Sequence, residues 1–280
     1  MITLHRPLRL SLALCIATVF APLATAVATE PATYQLLVLS NPAAGREGEY
    51  NDWYDRQHAP DVVSVPGFVS AQRYVIDEHQ MRADATPPAR YLIVFTIVTS
   101  DLPAVYAEVN QRIKDGRTVM NGSFDGRSAR SYTYKAITPV TAGKGGDVPG
   151  TQAQKAHSLQ LVFGAATPGK EAAFNTWYDT VHAPQVAGST GFTHWQRFEL
   201  SPVQLAPGPT QGQYLTRFDI DTANLPAVFE SAVKGFQASK APPGPGDTGQ
   251  ILQGYTYRAI GPLLSGDAVR AERAARAAKK

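Results

Sequence analysis

A tyrosine, an aspartate and a histidine recur at the same spacing in two segments of the chain. The segments read NDWYDRQHAPDVVSVPGF and NTWYDTVHAPQVAGSTGF. A histidine beside a carboxylate can transfer protons near neutral pH, and a phenol can donate a hydrogen bond to a ligand oxygen. Each segment is therefore a candidate acid–base site. The candidate catalytic residues are Tyr54, Asp55 and His58 in the first segment and Tyr178, Asp179 and His182 in the second.

The spacing of these residues fits one face of a helix. Tyr54 and His58 are four positions apart and Asp55 and His58 are three apart, so the side chains can meet, whereas Trp53 is predicted to point away from His58. Pro60 predicts that the helix ends near His58. There the helix dipole and Asp55 would raise the pKa of the ring. The same cluster could instead cap helix carbonyls and fix a turn, so a structural role stays open.

Polar side chains also recur on the strand predicted after each segment. Gln72 and Arg73 in the first copy match Gln196 and Arg197 in the second. Neighbours on a strand face opposite sides, so one residue of each pair points inward. An inward Arg would bind an anionic group, and an inward Gln would orient a carbonyl or hydroxyl. Alternation does not decide between them, and an Arg at the rim paired with Asp55 is the alternative.

Two further residues distinguish the second copy. His194 and Trp195 stand where the first copy has Ser70 and Ala71, so they are candidate ligand contacts of an asymmetric site. Two other histidines, at positions 79 and 157, have no counterparts and are predicted to face solvent.

The two segments belong to a long repeat. From Tyr34 to Ile76 the second copy follows at a constant offset of 124, the separation of Trp53 and Trp177. Each copy predicts the order β-α-β-β-α-β, the ferredoxin-like unit, whose sheet is covered by helices on one face. The bare faces of two copies can bury each other. The predicted fold class is therefore α+β: two ferredoxin-like domains that pair their sheets into an intrachain α/β barrel, a pseudo-dimer.

The ends of the chain predict export and a solvated tail. Residues 1–28 have a basic start, a short apolar run and a small-residue exit, typical of a signal peptide, with a retained anchor as the alternative. Cys15 lies in this segment, so the mature chain has no thiol for disulfides or metals. The predicted boundaries are 1–28 signal peptide, 29–140 first domain, 141–155 linker, 156–263 second domain and 264–280 basic, Ala-rich tail, helical or frayed.

Charge and motifs exclude several functions. Much of the formal net charge of +3 lies in the signal peptide and the tail, so the folded body is near neutral and nucleic-acid binding is not predicted. The sequence has no H-E-x-x-H motif, Gly-rich phosphate loop or G-x-S-x-G motif, and no metal site is predicted.

The repeated segment resembles the EthD-like branch of the dimeric α/β-barrel superfamily. The resemblance implies the barrel and a ligand cavity between sheet and helices. It also implies relatives that are cofactor-free isomerases, cyclases or decarboxylases of lactones and aromatic polyketides, in which a His of the H-x-P position acts in proton transfer. More distant relatives bind haem or are monooxygenases. The resemblance rests on Glu47, Asn51, Trp53, Tyr54, Asp55, His58, Pro60, Gly67, Phe68 and Arg73, and on Glu171, Asn175, Trp177, Tyr178, Asp179, His182, Pro184, Gly191, Phe192 and Arg197.

Two functions follow as hypotheses. The first is an exported, cofactor-independent isomerase, lyase or cyclase that acts on a small lactone or aromatic compound through a His acid/base. The alternative is a periplasmic or secreted binding protein, without turnover, for a small apolar ligand or haem. One copy could also serve only as a scaffold for the other, and the pseudo-dimer could dimerise further. After cleavage of the signal peptide, no membrane partner is predicted.

Overall fold

A computed structural model describes residues 30–82, 84–147, 154–208, 211–240 and 244–279. The predicted signal peptide and residues 148–153 of the predicted linker lie outside the described residues. Of the helices in the described ranges, none combines the length and the apolar character that a membrane span requires.

The first half of the chain follows the predicted order of elements. Its strands are runs of Leu, Val, Ile and Tyr, residues that suit a pleated, half-buried surface. Its longest helix begins after Asp101, whose carboxylate accepts a hydrogen bond from the Ala104 amide at 3.0 Å. The elements are β1 (Ala32–Ser40), α1 (Glu47–Trp53), a π-helical turn (Tyr54–His58), α2 (Ala59–Val63), β2 (Phe68–Ile76), β3 (Tyr91–Thr99), α3 (Leu102–Lys114), β4 (Arg130–Ala136) and the short β5 (Thr141–Ala142).

The second half repeats this order. Asn224 replaces Asp101 as the cap of the long helix and accepts a hydrogen bond from the Ala227 amide at 3.1 Å. The elements are β6 (Ala156–Ala166), α4 (Glu171–Trp177), a π-helical turn (Tyr178–His182), α5 (Ala183–Ala187), β7 (Phe192–Leu200), β8 (Tyr214–Thr222), α6 (Leu225–Ala238), a 3-10 turn (Gly246–Thr248), β9 (Gly249–Ser265) and α7 (Gly266–Ala277).

The prediction that the first helix ends near His58 was wrong. The helical path continues to Val63, because the chain inserts one residue in a π-helical turn before the proline. The Ala59 amide bonds the carbonyl of Tyr54, five residues back. Pro60 then lies in the first turn of α2, where its missing N–H is not needed. The second half does the same before Pro184.

The strands close into a barrel. Around the ring they run β4, β1, β3, β2, β9, β6, β8 and β7, and β7 pairs with β4 to complete the circle. Each ferredoxin-like half supplies four consecutive strands, and all pairings are antiparallel. The two junctions are β2 with β9 and β4 with β7. The predicted α+β fold class, two ferredoxin-like sheets paired into a dimeric-type α/β barrel, is confirmed.

One end of the barrel is closed by aromatic side chains and loops. Tyr134 donates to the carbonyl of Gly212 at 2.9 Å, and Tyr257 donates to the carbonyl of Ala89 at 2.8 Å. These tyrosines occupy equivalent positions in the two halves. Leu, Val, Phe and Tyr side chains pack the interior next to them. The other end of the barrel interior is polar, and we call it the mouth.

Two glutamine side chains form hydrogen bonds between the two halves. The Gln80 amide exchanges two hydrogen bonds with the main chain of Thr256, at 2.8 and 2.9 Å. Gln204, the equivalent residue, does the same with Thr133, at 2.8 and 2.9 Å. Each loop between the second and third strands of one half thus bonds the last strand of the other.

The predicted tail is helical and packs on the first half. In α7, Arg270 donates to the carbonyl of Phe68 at 3.1 Å, and Arg273 bonds Asp61 at 2.5 Å. Within the predicted linker, β5 pairs with Trp195 and His194 of β7. Both segments that follow the last strand of a half therefore continue onto the opposite half.

Candidate functional site

The arginines of the second strands point toward the helices and are held by the repeated motif. Arg197 is fully buried and donates to Asp179 Oδ1 and Asn175 Oδ1, both at 2.8 Å. Its guanidinium lies over the ring of Tyr178, 4.4 Å from the centroid. This geometry stacks a cation on an aromatic face and pairs it with a carboxylate. The guanidinium is therefore engaged by residues of the repeated motif.

The first half repeats this anchor. Arg73 donates to Asp55 Oδ1 at 2.5 Å and to Asn51 Oδ1 at 2.7 Å, and lies 4.8 Å from the centre of the Tyr54 ring. Of the two placements predicted for the strand arginines, the pairing with Asp55 is the one found. The carboxylate of Asp55, which was expected to raise the pKa of His58, is instead engaged by Arg73.

The motif histidines are stacked on the motif tryptophans. The rings of Trp53 and His58 are 4.5 Å apart and nearly parallel, and those of Trp177 and His182 are 4.9 Å apart. The prediction that Trp53 points away from His58 was therefore wrong. His58 Nδ1 is buried and has no hydrogen-bond partner among the described residues.

The predicted rise in the pKa of His58 is also contradicted. Burial lowers the pKa of His58 and of His182 to about 4. The ring lies within a continuous helical path rather than at a helix end, and the carboxylate of Asp55 is paired with arginine, so desolvation is the dominant effect. Both rings are therefore neutral near pH 7.

The motif tyrosines are equally enclosed. Burial raises the pKa of Tyr178 to about 12, and raises the pKa of Tyr54 further. The motif therefore forms a packed anchor between helix and sheet in each half. In each half the Tyr and His rings of the motif are in contact, and the Asp carboxylate pairs with the buried arginine of the second strand. Their role in catalysis stays a prediction.

A second polar cluster lies at the mouth of the barrel. Arg217, Asp219 and Asp221 are alternate residues of β8, so all three face the same side of the sheet. Arg217 donates to Asp219 Oδ1 through Nη2 at 2.6 Å and through Nε at 3.1 Å. Its Nη1 reaches Gln35 Oε1 at 3.4 Å, a weak contact. One guanidinium nitrogen is thus loosely held.

His157 completes the cluster: its side chain is 34% exposed, in line with the predicted solvent-facing position, but it lines the mouth rather than the outer surface. Its Nδ1 lies 2.8 Å from Asp221 Oδ1, and its Nε2 lies 3.4 Å from Asp219 Oδ1. The ring of Tyr74 approaches to 6.1 Å. An imidazole with a carboxylate at each nitrogen is oriented and can pass protons in either direction.

Two cavities open on this cluster. One has a volume of about 450 Å³ and the other of about 430 Å³, within the range of small-molecule sites. They share Thr96, His157 and Arg217. The first is also lined by Ser70, Gln72, Tyr74, Val94 and Leu263, and the second by Thr33, Gln35, Val140, Thr193, His194, Gln196, Asp219 and Asp221.

The remaining predicted ligand contacts divide between the mouth and the core. Gln72 and Gln196 face the mouth, but Gln72 Nε2 donates to the carbonyl of Ile260 at 3.1 Å and Gln196 Nε2 to that of Thr138 at 2.9 Å. Their side-chain amides are therefore hydrogen-bonded to main-chain carbonyls. His194 lines the cavity of about 430 Å³, together with Asp219 and Asp221. Trp195 lines neither cavity of the mouth, because it is buried in the core under the helices.

The mouth is asymmetric because the charged residues that line its two cavities belong to the second half. The residues of β3 that correspond to the three charged positions of β8 are Val94, Thr96 and Val98, and Thr33 corresponds to His157. Sequence reasoning missed this cluster, although it left a signal: charged residues at every second position of an otherwise apolar strand. Such a pattern places charges on one face, and here that face is inside the barrel.

Comparisons with known proteins give weak likenesses. No protein-family model and no curated protein matches the chain. Among solved structures, an anthrone oxidase-like protein is 12% identical, with 84% of this chain and 93% of that one covered and a TM-score of 0.47. An encapsulated DyP-type peroxidase from Mycobacterium smegmatis is 13% identical, with coverages of 86% and 95% and a TM-score of 0.42. With such scores, neither likeness carries an argument about function.

Proposed function

We propose that the chain is a small-molecule enzyme whose site is the mouth of the barrel. It would be a cofactor-independent isomerase or lyase that uses His157 as acid/base, in place of the predicted His58 and His182. The observation that supports this is the position of the His157 ring, held between Asp221 and Asp219 beside Arg217 at the base of two open cavities. The motif histidines are instead stacked and enclosed.

The groups suit proton transfer next to a carbonyl. His157 Nε2, whose contact with Asp219 is the longer one, takes a proton from the carbon beside the carbonyl. The electron pair of the broken C–H bond moves to the carbonyl oxygen, where the loosely held Nη1 of Arg217 stabilises the negative charge. Returning the proton to another carbon completes an isomerisation. Asp221 fixes the orientation of the ring.

Haem, the alternative cofactor, fits the mouth poorly. Asp219 and Asp221, which flank the His157 ring, place negative charge where a porphyrin needs apolar walls. The proposed reaction can be written with the side chains of His157, Arg217 and Asp221, without haem.

The family and the destination of the protein belong to the same proposal. An EthD-like relationship and a tandem duplication are supported by the motif, which is present at matched positions of both halves. Periplasmic location or secretion is supported by the basic start, apolar run and small residues of 1–28.

Solvent deuterium incorporation tests the proposal. The full chain is incubated in D₂O with a panel of lactones, cyclic ketones and hydroxy-aromatic compounds, and carbon-bound deuterium is followed by NMR. We expect incorporation into at least one compound, its loss in His157→Gln, and its retention in the matched variant His182→Gln. Loss in His182→Gln with retention in His157→Gln would place the chemistry at the motif instead. Saturable binding without incorporation would favour a non-enzymatic binding protein.

A further inference from the structure

The rim of the mouth is apolar, although its base is charged. Leu263 is 67% exposed and Val140 is 61% exposed, more than any other large apolar side chain among the described residues. Leu263 lines one cavity of the mouth and Val140 lines the other. The two residues occupy equivalent positions, each six residues after a buried tyrosine of the last strand. We call them the lips.

Both lips are held in place by main-chain contacts. The partner of Ala71 on β9 is Leu264, whereas the partner of Arg73 is Ile260, so extra residues of β9 bulge out between these pairs. Gly261, with a φ of +69°, permits the bulge, and Leu263 follows within it. The Gln72 amide donates to the carbonyl of Gly261 at 3.2 Å and secures the bulge.

The opposite lip is secured in a similar way. The side-chain amide of Gln196 donates to the carbonyl of Thr138 at 2.9 Å. The main-chain N–H of Arg197 donates to the Thr138 hydroxyl, also at 2.9 Å. Val140 lies two residues after Thr138 and lines the cavity. The strand that follows, β5, pairs with β7. The apolar lips are thus fixed features of the mouth and not the ends of free loops.

From this arrangement we infer that the mouth binds an amphipathic molecule of one or two rings. Its hydroxyl or carbonyl oxygen lies inward at Arg217 and His157, and its apolar body lies between Val140 and Leu263. Burying the lips against a ring removes apolar surface from water, while the oxygen satisfies the weakly engaged Nη1 of Arg217. The inference rests on the proposed function for the location of the site, and adds the class of ligand.

Cavity size and polarity both support this class. Volumes of about 430 and 450 Å³ suit a compact molecule. Beyond Arg217 the described residues of the interior are packed side chains, and neither cavity of the mouth extends among them as a deep apolar pocket. The apolar part of the ligand therefore has to point outward, toward the lips.

Titration of the full chain with 2-naphthol, followed by the fluorescence of that probe, tests the inference. We expect saturable binding that weakens about five-fold in Val140→Ser and in Leu263→Ser, the loss expected when part of an apolar contact is removed. Val233→Ser is the matched control, because Val233 is 43% exposed on α6 and lines neither cavity of the mouth. Far-UV circular dichroism checks that each variant is folded.

A second probe tests the inward oxygen. Naphthalene keeps the rings but has no oxygen to accept a hydrogen bond from Arg217 Nη1, and we expect it to bind more weakly than 2-naphthol. Absence of saturable 2-naphthol binding, or equal affinity of the lip variants and wild type, would overturn the inference. Lip-dependent binding without deuterium incorporation into any compound would leave the inference standing and refute the proposed function. Deuterium incorporation that is lost in His157→Gln but kept in Val140→Ser and Leu263→Ser would support the proposed function and refute the inference.

Discussion

Removing the carboxylate of Asp179 leaves a buried guanidinium without its charged partner. Arg197 is 0% exposed, and its only carboxylate contact among the described residues is with Asp179. Asn175 and the Tyr178 ring would remain as a neutral acceptor and an aromatic face. Asp179→Ala is therefore expected to destabilise the fold rather than to change only a reaction rate.

The magnitude follows from the burial of the two partners. Breaking a fully buried ion pair by removing one partner costs about 3–5 kcal/mol. Asp179 is 37% exposed, so water can partly replace it, and we expect Asp179→Ala to cost about 2–4 kcal/mol. Asp55, at 50% exposure beside Arg73, should cost less when replaced by Ala. Asp179→Asn keeps an acceptor and should fall between Asp179→Ala and wild type.

Urea unfolding at pH 7, followed by circular dichroism, measures these differences. Asp52→Ala is the matched control, because Asp52 pairs with Arg56 on the surface and such pairs contribute at most about 1 kcal/mol. A loss below about 1 kcal/mol in Asp179→Ala would refute the anchor, since the pair would then behave like a surface one.

Two further predictions concern stability. The pKa of His58 and of His182 is lowered to about 4, below the usual value of about 6.5 for an unfolded chain, so protons bind the unfolded state more strongly. The free energy of unfolding that the neutral rings contribute is fully present above pH 6.5 and is lost as the pH falls toward 4. In urea unfolding, each histidine is expected to account for about 1–3 kcal/mol of this loss. Replacing both histidines by Gln should make the free energy of unfolding depend less on pH. Gly191→Ala should cost more than Gly169→Ala in the same assay, because both glycines have positive φ but only the Gly191 Cβ would approach Val228 Cγ2, at 2.6 Å. Equal costs would refute the close packing of Gly191.

The order of elements and the closure of the barrel could be predicted from the sequence. Neighbouring positions in the sequence are enough to recognise the apolar runs with a period of two and the turn residues between them. The long repeat is recognised by comparing the sequence with itself. The sheet of each half has one uncovered face, and two such faces in one chain have an obvious way to bury each other. The continuation of the helical path past Pro60 could not be predicted in this way, because it depends on a π-helical turn that places the proline in the first turn of α2.

The site was harder to predict because its contacts are not local. Asp221 meets His157 only through the pairing of β6 with β8, in which the two residues are register partners. Nothing near His157 in the sequence indicates this neighbour. The motif was easy to find, since Tyr54 and its neighbours are close in the chain. Its burial, which removes the motif histidines from solvent, depends on tertiary packing.

Histidine-selective ¹H–¹⁵N NMR of the full chain during titration with 2-naphthol tests the central claim most directly. The six histidines of the sequence can be assigned with single His→Gln variants. Binding at the mouth predicts that the signals of His157 and His194 move while those of His58 and His182 do not. Movement of the His58 or His182 signals, with His157 unchanged, would contradict the account and return the site to the repeated motif.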